Sequence, residues 1–187
     1  MSSLPNMSVV VPADPLEAQC LAKISYEHQG PIYIRLGRTG EPHIHDDTPD
    51  FKIGKAILLR EGRGIAIFAI GNMVYTGMQV ISMLKKKGIT ATLINMHTLK
   101  PLDVDIIKQI ASVHSGIFSL EEHNINGGLG SAIAEVLAEN RFRGRFKRIG
   151  IVSQNRTDIG KADFLREKQG LTPESIFKKI LNEMKET

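Results

Sequence analysis

Hydrophobic positions along this chain switch repeatedly between the short continuous runs of buried strands and the three-to-four spacing of helices. Val9 to Val11 read as a strand. Pro12 to Glu17 then open a helix, with Asp14 as N-cap, Pro15 at the first helical position and Glu17 at the third, the pattern of a capping box. That helix runs to about Glu27 and stops before Gly30, and Pro31 to Leu36 form a second strand. Strand, helix and strand make a parallel βαβ unit, too little for a stable domain by itself, so its remaining strands are expected outside this chain.

From Gly37 to Asp50 the pattern dissolves into Gly, Pro, His and Asp, as in a linker. Periodicity returns at Gly54. Strands at Gly54–Arg60 and Ile65–Gly71 flank a turn at Glu61–Gly64, and a helix at Met73–Lys87 puts Met73, Gly77, Val80, Ile81 and Leu84 on one face. A strand at Thr90–Met96 and a turn at His97–Leu102 follow. Asp103 caps a helix carrying Val104, Ile107 and Ala111; then come a buried strand at Ile117–Leu120, a helix with Leu129, Ile133, Val136 and Leu137, and a strand at Phe146–Val152. A last helix starts at Thr172-Pro173-Glu174, with Ile176, Phe177, Ile180, Leu181 and Met184 on one side. The alternation predicts an α/β fold: a three-layer αβα unit over 54–187 with a mainly parallel sheet and an antiparallel edge strand, preceded by the βαβ remnant at 1–38 and a linker at 39–53.

The junction from Gly116 to Ser131 carries the candidate chemistry. A strand ending in Glu121-Glu122-His123 opens through Gly127, Gly128 and Gly130 into a helix, at the carboxyl edge of the sheet where ligands and subunit contacts gather. Free N–H groups at such a helix start can hold an anion. The spacing is neither a P-loop nor a dinucleotide fingerprint, so a tight turn with close helix packing is the favoured reading. His43, His45, Asp46 and Asp47 are metal-ligand types, but the loop supplies no tetrahedral framework, and no metal site is expected. Cys20, the single cysteine, excludes an internal disulfide, fits a reducing, cytoplasmic setting, and sits in a helical pattern as a packed thiol. With 42% hydrophobic and 24% charged residues the chain can bury a sizeable core. No run reaches membrane-span length and no leader pattern opens the chain. The basic run Arg141 to Arg148 could touch nucleic acid, yet its place between helix and strand reads as a solvated loop, so neither nucleic acid nor membrane is expected as a partner.

Val11-Pro12-Ala13-Asp14, Ile34-Arg35-Leu36-Gly37-Arg38, Gly54-Lys55-Ala56, Ile70-Gly71-Asn72, Thr98 to Asp103, and Glu121-Glu122-His123 with Gly127-Gly128-Leu129-Gly130 stand in the order found in transketolases. Similar patterns occur in deoxyxylulose-phosphate synthases and in the β subunits of 2-oxo acid dehydrogenases. The chain resembles the end of the pyrimidine-binding domain followed by the transketolase C-terminal domain. That resemblance implies a parent enzyme using thiamine diphosphate and Mg2+ to move a two-carbon ketol unit between sugar phosphates in the pentose phosphate pathway. It also implies a homodimer, and cofactor-binding domains located either upstream on the parent chain or on a partner subunit. Alone, the chain is expected to bind no cofactor and to be inactive, with no catalytic residue of its own. By the same resemblance Arg38 binds the substrate phosphate, as a guanidinium suits a phosphate. Arg35, an odd number of residues earlier, should face the other way. Glu121, Glu122, His123, Gly127, Gly128 and Gly130 are implied as interface or structural residues. The competing function is a non-catalytic dimerisation or binding module with the same fold.

Overall fold

A computed structural model describes residues 1–37, 40–152 and 159–185. The Asp14 carboxylate accepts the Glu17 amide at 2.9 Å and starts α1 (Pro15–Ser25), which crosses between the parallel strands β1 (Ser8–Val10) and β2 (Ile32–Ile34). Glu17 reaches one residue further back than a capping box requires, accepting the Ala13 amide at 2.8 Å. The third strand of this sheet comes from much later in the chain. β6 (Thr98–Lys100) lies antiparallel to β1, giving the order β2-β1-β6. The sequence reading places a turn here, because three residues before a proline show no period; the distant partner makes them a strand.

The larger sheet contains β3 (Ile57–Arg60), β4 (Gly64–Ala69), β5 (Ala91–Asn95), β7 (His114–Asn124) and β8 (Arg145–Ile151), in the order β3-β5-β4-β7-β8. All pairs are parallel except β3 with β5, so the expected antiparallel edge is present. β5 lies between β3 and β4, and the Glu61–Gly64 segment therefore passes over the start of β5 instead of joining neighbours. Gly62 permits that crossing: a Cβ there would sit 2.3–2.6 Å from the Ala91 backbone, and its N–H donates to Thr92 Oγ1 at 3.0 Å.

Strand alternation sends successive β4 side chains to opposite helix layers. Ile65, Ile67 and Ala69 pack with Leu93, Phe118 and Leu120 under α2 (Met73–Lys86) and α6 (Pro173–Lys185). Ala66 and Phe68 pack with Ile94 and Ile117 under α3 (Val104–Val113) and α4 (Leu129–Glu139). Burial of each such Ile, Leu or Phe contributes roughly 1.5–3 kcal/mol, and these two cores hold the three layers together. A short helix absent from the sequence reading, α5 (Ala162–Lys168), buries no residue. The second half of the basic run is β8 rather than a loop, and Arg148 donates to the Ile125 carbonyl at 3.0 Å.

The described residues of the segment joining the two sheets form no helix or strand, yet the segment is anchored. Phe51 is buried and stacks on the His97 ring, centroids 3.9 Å apart. It completes a small third core with Val10 and Leu21, against which Cys20 packs.

Candidate functional site

In the larger sheet the chain leaves β4 toward β5 on one side and later arrives at β7 on the other. The carboxyl ends of β4 and β7 therefore form a topological switch point, where open α/β sheets leave a crevice. A cleft of about 1110 Å3 opens there, bounded on its far side by the ends of β1 and β2. Gly71 and Asn72 close β4, Glu121 to His123 close β7, and all five line the cleft.

Glu121 and Glu122 point to opposite faces of β7, as strand pleating dictates. The Glu121 carboxylate turns under α4 and accepts the amides of Leu129 and Gly130, both at 2.8 Å. Gly128 leaves it room: a Cβ on Gly128 would lie 1.9 Å from Glu121 Oε2. Gly127 takes a positive φ of 75° in the same turn, and a Cβ on Gly130 would meet Ser119 Oγ at 2.5 Å. The anion at this glycine-rich helix start is thus the chain's own carboxylate. Burial pushes the Glu121 carboxyl above its ordinary range, partly offset by the two amides and by nearby His123 and Arg148.

Glu122 faces the layer of α2 and α5. It accepts Arg166 through two oxygens, from Nε at 2.9 Å and Nη2 at 3.0 Å, and accepts the Asn72 side-chain amide as well. Burial opposes ionisation of Glu122, but the Arg166 and Asn72 bonds outweigh it and hold the carboxyl below its usual range. The Glu122 carbonyl accepts Arg35 Nη2 at 2.9 Å, joining the end of β2 to the end of β7. His123 is half-exposed; its Nδ1 lies 2.9 Å from the Asn124 carbonyl and 4.0 Å from Glu121. The three residues adjacent in sequence therefore do three different things, and no proton-transfer pair forms among them. Arg38 lies outside the described residues.

A second polar cluster surrounds Glu17, which is fully buried. Beyond Ala13, its carboxylate meets His45 Nε2 at 2.7 Å and accepts the Asn95 side-chain amide. Asp14 accepts the Ile44 and His45 amides at 2.9 and 3.1 Å. The hydrogen bond to Glu17 raises the His45 pKa against the opposing effect of burial, with Glu17, Asp14 and Asp46 charges adding to the rise. His97, buried beside it, is lowered to about 4, mainly by desolvation. The His45 ring is thus committed to Glu17, and among the described residues no group of three or more His, Cys, Asp or Glu could hold a metal ion. Arg166 and Asn95 carried no signal in the sequence, while Glu17 read only as a helix cap, His45 only as a metal-ligand type and Asn72 only as part of a motif, because each acts through partners distant along the chain.

The described residues do not fit a metal-bound diphosphate cofactor. The one glycine-rich amide cradle is filled by Glu121, and the only carboxylates on the cleft wall at β7 are committed to α4 and Arg166. No helix of the described residues is long and apolar enough to cross a membrane.

A family model for the transketolase C-terminal domain matches residues 54–176. The chain is 37% identical over 191 residues to a transketolase C-terminal section from Methanocaldococcus jannaschii, covering 99% of this chain and 58% of that protein. It is 34% identical to an apulose-4-phosphate transketolase subunit from Phocaeicola vulgatus, covering 99% and 59%. A solved structure described as a split gene transketolase, inactive beta4 tetramer, superposes with a TM-score of 0.92 at 34% identity, covering 99% of this chain and 60% of that one. The chain thus spans somewhat under two thirds of the length of these relatives.

Proposed function

This chain belongs to the transketolase C-terminal domain family, and from that premise we propose that it is the C-terminal portion of a thiamine-diphosphate-dependent transketolase, cytoplasmic, moving two-carbon ketol units between sugar phosphates and inactive without the cofactor-binding domains. The observation that carries this reading is the near-complete match to proteins described as a transketolase C-terminal section and a transketolase subunit, each extending beyond the region matched here. Thiamine diphosphate with Mg2+ supplies the carbanion chemistry in this reading, and the residues that hold them are assigned to the cofactor-binding domains, a reading supported by the occupation of the glycine-rich helix start by Glu121. The chain itself contributes the end of β2, the joint at Glu122 and a surface for self-association into a homodimer. The relative described as an inactive tetramer is consistent with assembly of such a portion without activity.

In the same proposal Arg38 holds the substrate phosphate. The test is to combine this chain with a candidate N-terminal partner, or the parent chain with its cofactor domains, and assay ketol transfer. Activity is expected only for the combination. In that enzyme Arg38→Ala should lower kcat/KM for phosphorylated sugars roughly ten- to hundredfold and leave an unphosphorylated acceptor nearly unaffected. Equal losses on both substrates would remove Arg38 from substrate binding. No ketol transfer with any such partner, together with an unchanged dimer, would leave the chain a dimerisation module.

A further inference from the structure

We infer that the segment from Glu41 to Phe51 is a proton-operated strap that clamps the N-terminal βαβ unit to the five-stranded sheet, with His45 as its clasp and the Glu17 carboxylate as its socket. The strap runs without regular structure, yet it is fixed at two levels. Asp14, the cap of α1, accepts the backbone amides of Ile44 and His45, and Phe51 stacks on His97 just beyond β5. Between these anchors, His45 Nε2 sits 2.7 Å from Glu17, whose same oxygen accepts the Asn95 amide at the end of β5. One buried oxygen thus joins α1, the strap and the large sheet.

A fully buried carboxylate is costly unless it faces a positive charge or several donors. Ala13 N–H and Asn95 supply neutral donors; His45 is the titratable donor among the contacts to Glu17. The groups facing His45 are Glu17 and Asp14 from α1, Asp46 on the strap and His97 beyond β5, with Asp103 acting on His97 from the start of α3. Three of the four that face His45 are acidic and favour the imidazolium. His97, lowered to about 4 mainly by burial, stays neutral through the physiological range and adds no competing positive charge beside His45. Because the folded-state pKa of His45 is raised, the stabilisation is complete below the unfolded value near 6.5 and is lost as pH rises through the folded value. The strap is therefore tight in mildly acidic solution and looser above neutrality.

The experiment uses the whole chain and reads amide hydrogen exchange at Ile44 and His45, whose N–H groups report the strap directly. After correction for intrinsic base-catalysed exchange, their protection should fall about five- to tenfold between pH 6 and 8.5, while amides in the middle of β4 stay unchanged. His45→Gln, which can still donate to Glu17 but carries no charge, should show low protection at both pH values. Its Tm should lie on the order of 2–4 °C below the wild type at pH 6 and converge with it at pH 8.5. Should that variant not fold, the wild type suffices: the midpoint of the protection change must coincide with the NMR titration of the His45 ring. Flat protection, the same pH drift in His45→Gln, or midpoints that disagree would each overturn the strap.

Discussion

Glu121 and Glu122 are adjacent residues of one strand, identical in chemistry, and their surroundings push them in opposite directions. Glu121 is buried under α4, hydrogen-bonded to neutral backbone amides with His123 4.0 Å away, and its carboxyl is pushed up by burial. Glu122 faces the cleft, is bonded to a guanidinium, and its carboxyl is pushed down. One serves the interior of the C-terminal unit; the other ties β7 to α5, α2 and, through its carbonyl, to the end of β2. Position along the strand decides which: one residue further turns the side chain to the other layer. The pair also shows that the amides of Leu129 and Gly130 at the start of α4 are already taken up by Glu121.

The comparison is most strongly tested by removing each carboxylate in turn. Glu121→Ala strands two buried amides, each costing about 1–3 kcal/mol, so urea unfolding should show a loss of roughly 2–6 kcal/mol. Glu122→Ala breaks a partly exposed ion pair and should cost only about 1 kcal/mol. Comparable losses for the two variants would erase the distinction drawn between them.

A somewhat smaller effect sharpens the role of Gly128. Its Cβ would collide with Glu121, so Gly128→Ala should cost roughly 2–4 kcal/mol in the wild type. In the Glu121→Ala background the collision is gone, and the further cost should fall to about 1 kcal/mol, the remainder arising from Asn124 O at 2.9 Å. Strict additivity in this double-mutant cycle would show that Gly128 serves the turn and not the carboxylate.

Much of this fold was legible beforehand. The three layers, the parallel sheet and its antiparallel edge follow from periods that change where the elements do, and Asp14 and Asp103 cap the helices their positions announce. What stayed hidden depends on contacts between distant segments. β6 shows no period of its own, and β5 inserts between two strands that are neighbours in sequence. Glu17 reads as a local cap because its spacing to Asp14 is visible, whereas its bonds to His45 and Asn95 reach 28 and 78 residues along the chain. At the candidate site, Glu121, Glu122 and the glycines were found together, but their division of labour required knowing which helix lies on which face. Arg166 could not be found that way, since α5 has neither a long period nor a buried face.

The smallest effect expected is in the pH dependence of stability, where the two glutamates should contribute with opposite sign. Glu122, with its folded-state value below the ordinary 4.5, contributes stability that is present above 4.5 and lost as pH falls through the folded value. Glu121, with its folded-state value above 4.5, binds its proton more tightly in the native chain than in the unfolded one. Its contribution therefore falls as pH rises from 4.5 through the folded value and stays low at neutrality. The wild-type minus Glu122→Gln difference in Tm should accordingly shrink below pH 4.5, by on the order of 2–4 °C. The wild-type minus Glu121→Gln difference should instead grow as pH is lowered from neutrality toward 4.5, because protonation relieves the buried charge in the wild type alone. Calorimetric scans of the three proteins at pH steps from 7 to 3.5 measure both differences. Slopes of the same sign would mean that burial, and not the contrast between backbone amides and Arg166, governs both residues.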